Sequence, residues 1–240
     1  MGYEFLLAGL PELRVDGESP ITPETLHDLL AESLAEKDLE TLRVLEMRND
    51  DPIVLDLQAA YNDTYIGRPD WWDDAVDVLS EEDLRTQLMY EYGKQNSCRF
   101  VRDWFSYNQD LNNVMVATIC RKHGFDVRKY IIGHNEVAEI LRKNLPQKDF
   151  GLAAVMDNMP EIMAVVDVQN LREREKRLDA LRFLWIEERS RFVYFSLDNV
   201  LAYYLQVQML HRWSLLTVEE GERIFRELVA DMKKGVKLDA

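Results

Sequence analysis

The pattern of hydrophobic and polar residues is clearest between residues 99 and 124, where apolar side chains recur every three or four positions. This spacing places them along one side of an α-helix. Basic residues fill the last turn at residues 121–123, and Gly124 follows, as expected at the negative end of a helix dipole with a left-handed cap. We therefore predict a long central helix whose apolar side contains Val101, Trp104, Phe105, Leu111, Val114, Met115 and Ile119.

A second stripe of mostly polar residues runs beside this apolar side, and Asn108 interrupts the apolar side itself. Aspartate and asparagine are poor helix formers, so a helix that keeps them in its interior usually gives them partners on a neighbouring helix. We expect such partners for the polar members of the stripe, which consists of Ser106, Asp110, Asn113 and Ala117.

Periodic apolar residues and capping residues predict helices in most of the remaining chain, so the predicted fold is all-α, an elongated bundle of long helices. Residues 3–10 are compatible with a strand or a helix. N-caps are expected at Thr22, Ser80, Asn135 and Thr217.

Two further helices are expected in the second half of the chain. One follows Pro146 and contains Phe150 and Leu152. The other begins at Asn158 and continues to Arg191, because neither Gly nor Pro interrupts it after its first turn; its charged middle should be solvated.

The chain is expected to form a single helical domain over residues 1–240, with a possible internal boundary in the loop at residues 62–74. This loop contains the adjacent tryptophans Trp71 and Trp72. An exposed tryptophan is a frequent interface anchor. Two interpretations stay open: the pair forms a candidate interface, or both rings close the end of the core beneath the loop.

The formal net charge is −15. This charge argues against nucleic acid as a partner and against direct docking on an anionic membrane, because both require a concentrated basic surface. A basic protein partner remains compatible with it. Cys98 and Cys120 are expected to be reduced thiols, which indicates the cytoplasm. The apolar runs are too short for a membrane span, so no direct membrane insertion is expected.

Candidate catalytic or metal-binding sets are weak. Glu24 and His27 have the spacing of a di-iron ligand pair, but the sequence has no second copy. Cys120 and His123 are similarly spaced, yet a structural zinc ion requires four ligands. Glycine-rich phosphate loops and nucleophile motifs are absent from the sequence. We predict no catalytic residue, no cofactor and no metal site.

Two stretches of sequence resemble the helical repeat of the V-type ATPase C subunit, a family also known as the d subunit. The stretches are WFSYNQDLNNVMVATICRKHG at 104–124 and SLDNVLAYYLQVQMLHRWSLLTVEEGERIFREL at 196–228. Asp110, Asn113 and Arg121 match the repeat best, and Arg212 is the match in the second copy. The C subunit has three repeats, whereas this chain has two.

The opening segment, YEFLLAGLPEL, resembles a smaller uncharacterised family encoded beside bacterial V-type ATP synthase subunits. These resemblances imply a non-catalytic adaptor that seats the central stalk on the membrane rotor ring. The implied partners are stalk and rotor-ring subunits, and the implied location is cytoplasmic, peripheral to the membrane through the complex. Two alternatives are a free-standing helical interaction module and a helical-bundle metalloenzyme.

Overall fold

The computed structural model describes residues 2–14, 18–65, 67–156 and 158–215. Within these ranges the regular structure is entirely helical, which confirms the predicted all-α class. Two short 3-10 helices lie at Val127–Lys129 and Leu152–Ala154. The α-helices are α1 (Tyr3–Gly9), α2 (Pro23–Ser33), α3 (Glu36–Glu46), α4 (Pro52–Asp63), α5 (Trp72–Val78), α6 (Glu81–Lys94), α7 (Arg99–His123), α8 (Glu136–Lys143), α9 (Met159–Val166), α10 (Leu171–Ser190) and α11 (Leu197–Leu215).

The chain divides into two compact units. The first unit comprises residues 1–34 and 183–240, and the second comprises residues 35–182. The boundary in the second half of the chain falls within α10, and the described part of 62–74 lies inside the second unit. Among the described residues, no helix combines the length and apolar character needed to cross a bilayer.

Capping residues fix the helix ends that the sequence predicted. Side-chain oxygens of Thr22, Ser80 and Asn135 each accept a hydrogen bond from the backbone N–H three residues later, at 3.2, 3.1 and 3.1 Å. Gly124 ends α7 in the left-handed region at φ 69°. Each cap satisfies backbone groups that a helix end otherwise leaves unpaired. The predicted cap at Thr217 lies outside the described residues.

In the first unit, α11 packs against α1 and α2. The N-terminal segment forms the helix α1, so of the two possibilities for residues 3–10, strand or helix, the helix is correct. Leu26 and Leu30 of α2 and Leu201 of α11 are completely buried. The Tyr203 hydroxyl donates a hydrogen bond to the Pro11 carbonyl at 2.9 Å, and burial raises the pKa of Tyr203 to about 12.

In the second unit, α7 is the central helix and packs on α6, α8 and α9. Gly93 of α6 lies against Phe105 of α7, and a Cβ atom at this position would overlap the ring. A glycine at this position therefore lets the two helices pack closely. One apolar cluster of this unit includes Leu111, Val114, Ala117, Ile131, Leu141, Phe150 and Ile162; another includes Val54, Trp72, Ala75, Leu84 and Leu88.

The helix predicted after Pro146 is not an α-helix. Only the 3-10 turn Leu152–Ala154 forms there, because Phe150 and Gly151 both adopt positive φ values, 57° and 77°. Left-handed backbone at two consecutive residues cannot continue an α-helix. Phe150 is nevertheless fully buried, so the prediction of an apolar core segment here is confirmed.

The single helix predicted from Asn158 to Arg191 is also wrong, because the chain forms two helices, α9 and α10, with a break between them. The Asn170 side chain accepts a hydrogen bond from the Glu173 N–H at 2.9 Å and so caps α10. Asparagine and aspartate favour such local bonds over helix continuation. A helix can therefore end without Gly or Pro.

The predicted apolar side of α7 is buried at Val101, Phe105, Leu111 and Val114. Ile119 is an exception, since 44% of it is exposed. The buried side near the end of the helix instead includes Ala117 and Cys120.

Candidate functional site

In the middle of α7, the side-chain amides of one buried and one half-buried asparagine bind the same arginine. Arg182 of α10 donates from Nε to Asn108 Oδ1 at 2.9 Å and from Nη2 to Asn112 Oδ1 at 3.1 Å. Its Nη1 donates to Asp179 Oδ1 at 2.9 Å. Asp179 is only 4% exposed, so this arginine compensates a buried carboxylate charge. The planar guanidinium group thus fixes α10 against two positions of α7.

Asn112 extends this contact to α6. Its Nδ2 donates a hydrogen bond to the Tyr90 hydroxyl at 2.6 Å while its Oδ1 accepts from Arg182. Burial raises the pKa of Tyr90. One asparagine side chain therefore connects three helices, α6, α7 and α10.

Asn113, one of the predicted structural residues, is 1% exposed and binds the segment that precedes α8. Its Nδ2 donates to the Ile132 carbonyl at 2.8 Å, and its Oδ1 accepts from the Ile132 N–H at 3.2 Å. Gln87 of α6 accepts the N–H of the next residue, Gly133, at 2.8 Å. Side chains thus replace the backbone partners that this extended segment would have in a sheet.

Arg142 of α8 completes the pairing of the same segment. Its Nη2 donates to the carbonyls of Ile131 and Gly133, at 2.9 and 2.7 Å. Gly133 has φ 83°, and a Cβ atom at this position would overlap the amide of Gln109. Only glycine satisfies both conditions without distortion.

Gln109 of α7 is completely buried and binds Lys94 of α6. Lys94 Nζ donates to Gln109 Oε1 at 2.9 Å and forms an ion pair with Glu91 at 2.5 Å. The Gln109 Nε2 atom has no hydrogen-bond partner among the described residues. It lies so close to Gly133 that a Cβ atom at position 133 would overlap it.

Asp110 accepts a hydrogen bond from Asn135 Nδ2 at 2.6 Å. The partner residue also caps α8, so Asp110 positions the start of that helix. Burial raises the pKa of Asp110, while the hydrogen bond from Asn135 and the nearby Lys94 charge act in the opposite direction. Asp110 thus binds Asn135, whereas Arg121 binds the turn that follows α8.

Arg121 fastens the end of α7 to the turn before the second 3-10 helix. Its Nη1 donates to the carbonyls of Gln147 and Lys148, at 2.7 and 3.1 Å. The guanidinium carbon lies 4.3 Å from the centre of the Phe150 ring, within the range of a cation–π contact. These contacts hold the left-handed residue Phe150 in place.

Arg212 belongs to the first unit and is separate from this set. It is exposed on α11, and its guanidinium carbon lies 5.8 Å from the centre of the Trp213 ring. The residues matched by the resemblance therefore comprise three in the second unit and one surface residue in the first.

The tryptophan pair divides between core and surface. Trp72 is 1% exposed and contacts Tyr61 edge to face at a centroid distance of 5.2 Å. Trp71 is partly exposed and stacks on His134 at 5.8 Å. Trp72 thus closes the core, the second of the two alternatives, and only Trp71 presents surface to solvent.

The acidic, histidine and cysteine residues of the described chain form no group of three or more that could hold a metal ion. Glu24 and His27 therefore stand without further ligands in that part of the chain. Cys98 and Cys120 are free thiols, and burial raises the pKa of Cys120.

Sequence reasoning missed the residues that organise this site most strongly, which are Gln87, Tyr90, Asp179 and Arg182. Asp179 and Arg182 are three residues apart in a helix rich in both charges, a pattern typical of solvated ion pairs. A usable signal was the excess of asparagines on α7, because these amides require donors from another helix.

Residues 72–236 match the family described as protein of unknown function (DUF2764). An uncharacterized protein of Chlamydia muridarum (strain MoPn / Nigg) is 28% identical to this chain over 140 residues, which is 58% of this chain and 51% of that protein. The alignment thus spans about half the length of this relative. No solved structure matches the chain. Because the family match covers more than half of the sequence, the chain belongs to the DUF2764 family.

Proposed function

We propose that this chain is a non-catalytic adaptor subunit of a V-type ATP synthase that joins the central stalk to the membrane rotor ring. The proposal begins from the sequence resemblance to the C subunit of V-type ATPases. Within the cell it places the chain on the cytoplasmic side of the membrane, attached through the complex.

The observation that carries the proposal is the use of the three matching residues in the second unit. Asp110 binds the N-cap of α8, Asn113 binds the segment before it, and Arg121 binds the turn that follows it. Each residue ties α7 to a neighbouring segment by hydrogen bonds. A subunit that transmits torque must resist internal deformation, and hydrogen bonds between polar side chains and neighbouring segments rigidify a helical core.

Charge supports the same role. An acidic chain, with net charge −15, is complementary to basic faces on partner subunits. Complementary charges contribute orientation and association rate more than affinity. They suit a subunit that must be seated in one orientation.

The test is purification of the ATP synthase from cells that carry an affinity tag on this chain. We expect stalk and rotor-ring subunits to co-purify in fixed ratio after mild detergent extraction. Deleting the chain should leave ATP hydrolysis less coupled to ion transport. A tagged acidic helical protein of similar size is the control for non-specific capture.

Recovery of the complete ATP synthase without this chain, together with the tagged chain migrating alone, would contradict the proposal. That result would favour the free-standing interaction module. Stoichiometric transition metal in the purified chain would instead favour the metalloenzyme.

A further inference from the structure

The second unit carries an exposed basic and aromatic surface at the C-terminal end of α7. Residues 121–130 contain four Lys or Arg residues and one Asp, although the whole chain is strongly acidic. This part of the chain is therefore locally basic. We call this surface the basic–aromatic patch and define it as Lys122, His123, Phe125, Arg128, Lys129 and Tyr130, all of which are exposed.

The aromatic rings of the patch lie in contact with one another. His123 stacks on Phe125 with a centroid distance of 5.5 Å, and Phe125 lies 6.0 Å from Tyr130. Phe125 is 48% exposed and Tyr130 41%. Ile119, also exposed, precedes His123 by one helical turn and so extends the apolar area on the same face.

The backbone beneath the patch is fixed from both sides. Gly124 turns the chain with φ 69°, and the Phe125 N–H donates to the Cys120 carbonyl at 2.9 Å. Val127 inserts into the apolar core, and the Asp126 carboxylate accepts the Arg128 N–H at 3.2 Å. A surface that is already ordered loses little conformational entropy when a partner binds.

Helix capping explains only some of the basic and aromatic residues of the basic–aromatic patch. Cations in the last turn, such as Lys122, stabilise the negative end of a helix. Arg128 and Lys129 lie beyond that turn. Arg128 forms an exposed ion pair with Asp126 at 3.2 Å. The exposed ring of Phe125 contributes nothing to the helix dipole, so helix capping and this ion pair leave Phe125 and Lys129 unexplained.

We propose that the basic–aromatic patch docks an acidic segment with apolar side chains at its centre, supplied by another subunit of the V-type ATP synthase. This inference rests on the proposed function. An adaptor must hold two partners, and this basic surface on a chain of net charge −15 suits a partner of acidic character. The cations would pair with the rim of the segment while Phe125 and Tyr130 contact its apolar centre. Nucleic acid is disfavoured because the remaining surface of the chain repels phosphate.

The experiment uses the tagged full-length chain in cells that contain the ATP synthase. The patch variant is Lys122→Glu/Arg128→Glu/Lys129→Glu. The matched control, Lys37→Glu/Arg43→Glu/Arg48→Glu, changes net charge equally at exposed positions of the same unit. We expect the patch variant to lose at least about tenfold of the co-purifying complex because like charges then face each other, and the control to retain it.

A second measurement does not depend on the stability of the variants. A photo-reactive benzoylphenylalanine at Tyr130 should cross-link to an ATP synthase subunit, at a peptide with net negative charge.

Thermal unfolding followed by circular dichroism verifies that both triple variants remain folded.

The outcomes separate the inference from the proposed function. If the patch variant and the control both co-purify like the unaltered chain, the patch inference fails and the adaptor role stands. If the unaltered chain itself captures no ATP synthase subunit, both fail. Cross-links to a second copy of this chain, to nucleic acid or to lipid would overturn the inference in favour of that partner.

Discussion

The middle and the C-terminal end of α7 use polar residues in opposite ways. In the middle, Asn108, Gln109 and Asn113 are buried, and each binds another segment of the protein. At the end, Lys122 and His123 are exposed to solvent. The same helix therefore holds the second unit together at one place and presents charge at another.

This contrast shows that the polar residues of a helix do not by themselves identify its exposed surface. Buried polar groups stabilise a fold only when all of them are paired, and removing one partner leaves an unfavourable buried group. Exposed charges contribute little to stability. Similar substitutions in the two regions should therefore change the free energy of unfolding by very different amounts.

The largest effect is expected for Arg182→Leu. The substitution removes the ion pair of Arg182 with the buried Asp179 carboxylate and its hydrogen bonds to the amide oxygens of Asn108 and Asn112. Breaking a buried ion pair in this way should lower the free energy of unfolding by about 3–5 kcal/mol. Urea denaturation followed by circular dichroism measures the change.

The matched control is Arg177→Leu in the same helix. Arg177 pairs with Glu173 at 2.9 Å, but both side chains are about half exposed. Its loss should cost less than about 1 kcal/mol. Similar destabilisation by the two substitutions would show that the contacts of Arg182 with the middle of α7 stabilise the fold no more than an exposed ion pair does.

A smaller effect is expected for Asn113→Leu. This change leaves the buried N–H and carbonyl of Ile132 without partners, which should cost about 2–3 kcal/mol. Lys122→Leu at the exposed end of the helix should change stability by no more than about 0.5 kcal/mol. Thermal unfolding of the two variants under identical conditions provides the comparison, and equal melting temperatures would remove the contrast.

Asp110→Leu should destabilise the protein by about 1–2 kcal/mol, because Asn135 loses the acceptor of its side-chain amide. Glu173→Leu removes only an exposed ion pair and should have a smaller effect. Differential scanning calorimetry can resolve the two. Equal and negligible shifts would refute the idea that the polar stripe of α7 is a buried structural element.

The smallest effect concerns the pH dependence of stability. Because burial raises the pKa of Asp110, the folded state keeps a proton that the unfolded state has already released. Between the ordinary and the raised pKa, the free energy of unfolding therefore falls as pH increases. Asp110→Asn should flatten this fall, which begins at about pH 4. Denaturation curves over a pH series test the slope; an unchanged slope would assign it to other groups.

The sequence predicts local features of this fold well. Thr22, Ser80, Asn135 and Gly124 act where they were expected, because a cap depends on residues within one turn of the chain. The apolar side of α7 was predictable for the same reason, although Trp104 and Met115 are only half-buried and Ile119 is exposed. The break between α9 and α10 was missed because a helix end was expected only at Gly or Pro, whereas the new helix here begins at a capping asparagine, Asn170.

The candidate site was only partly predictable. The need of Asp110 and Asn113 for partners follows from their position within a helix, whereas the identity of those partners does not. The tertiary fold brings Asn135, Ile132 and Arg182 to α7. Their positions depend on how several helices pack together. A sequence pattern with a period of three or four residues contains no information about these distant pairs.

Residues 131–133 illustrate a consequence of this packing. Every backbone N–H and carbonyl of the segment is hydrogen-bonded: Asn113, Gln87 and Arg142 supply five of the six partners, and the Val127 carbonyl supplies the sixth. The segment lies outside any helix, yet its amide protons should resist exchange with deuterated solvent as long as the surrounding helices stay in place. An extended stretch with no free edge also offers no template on which another chain could add a strand.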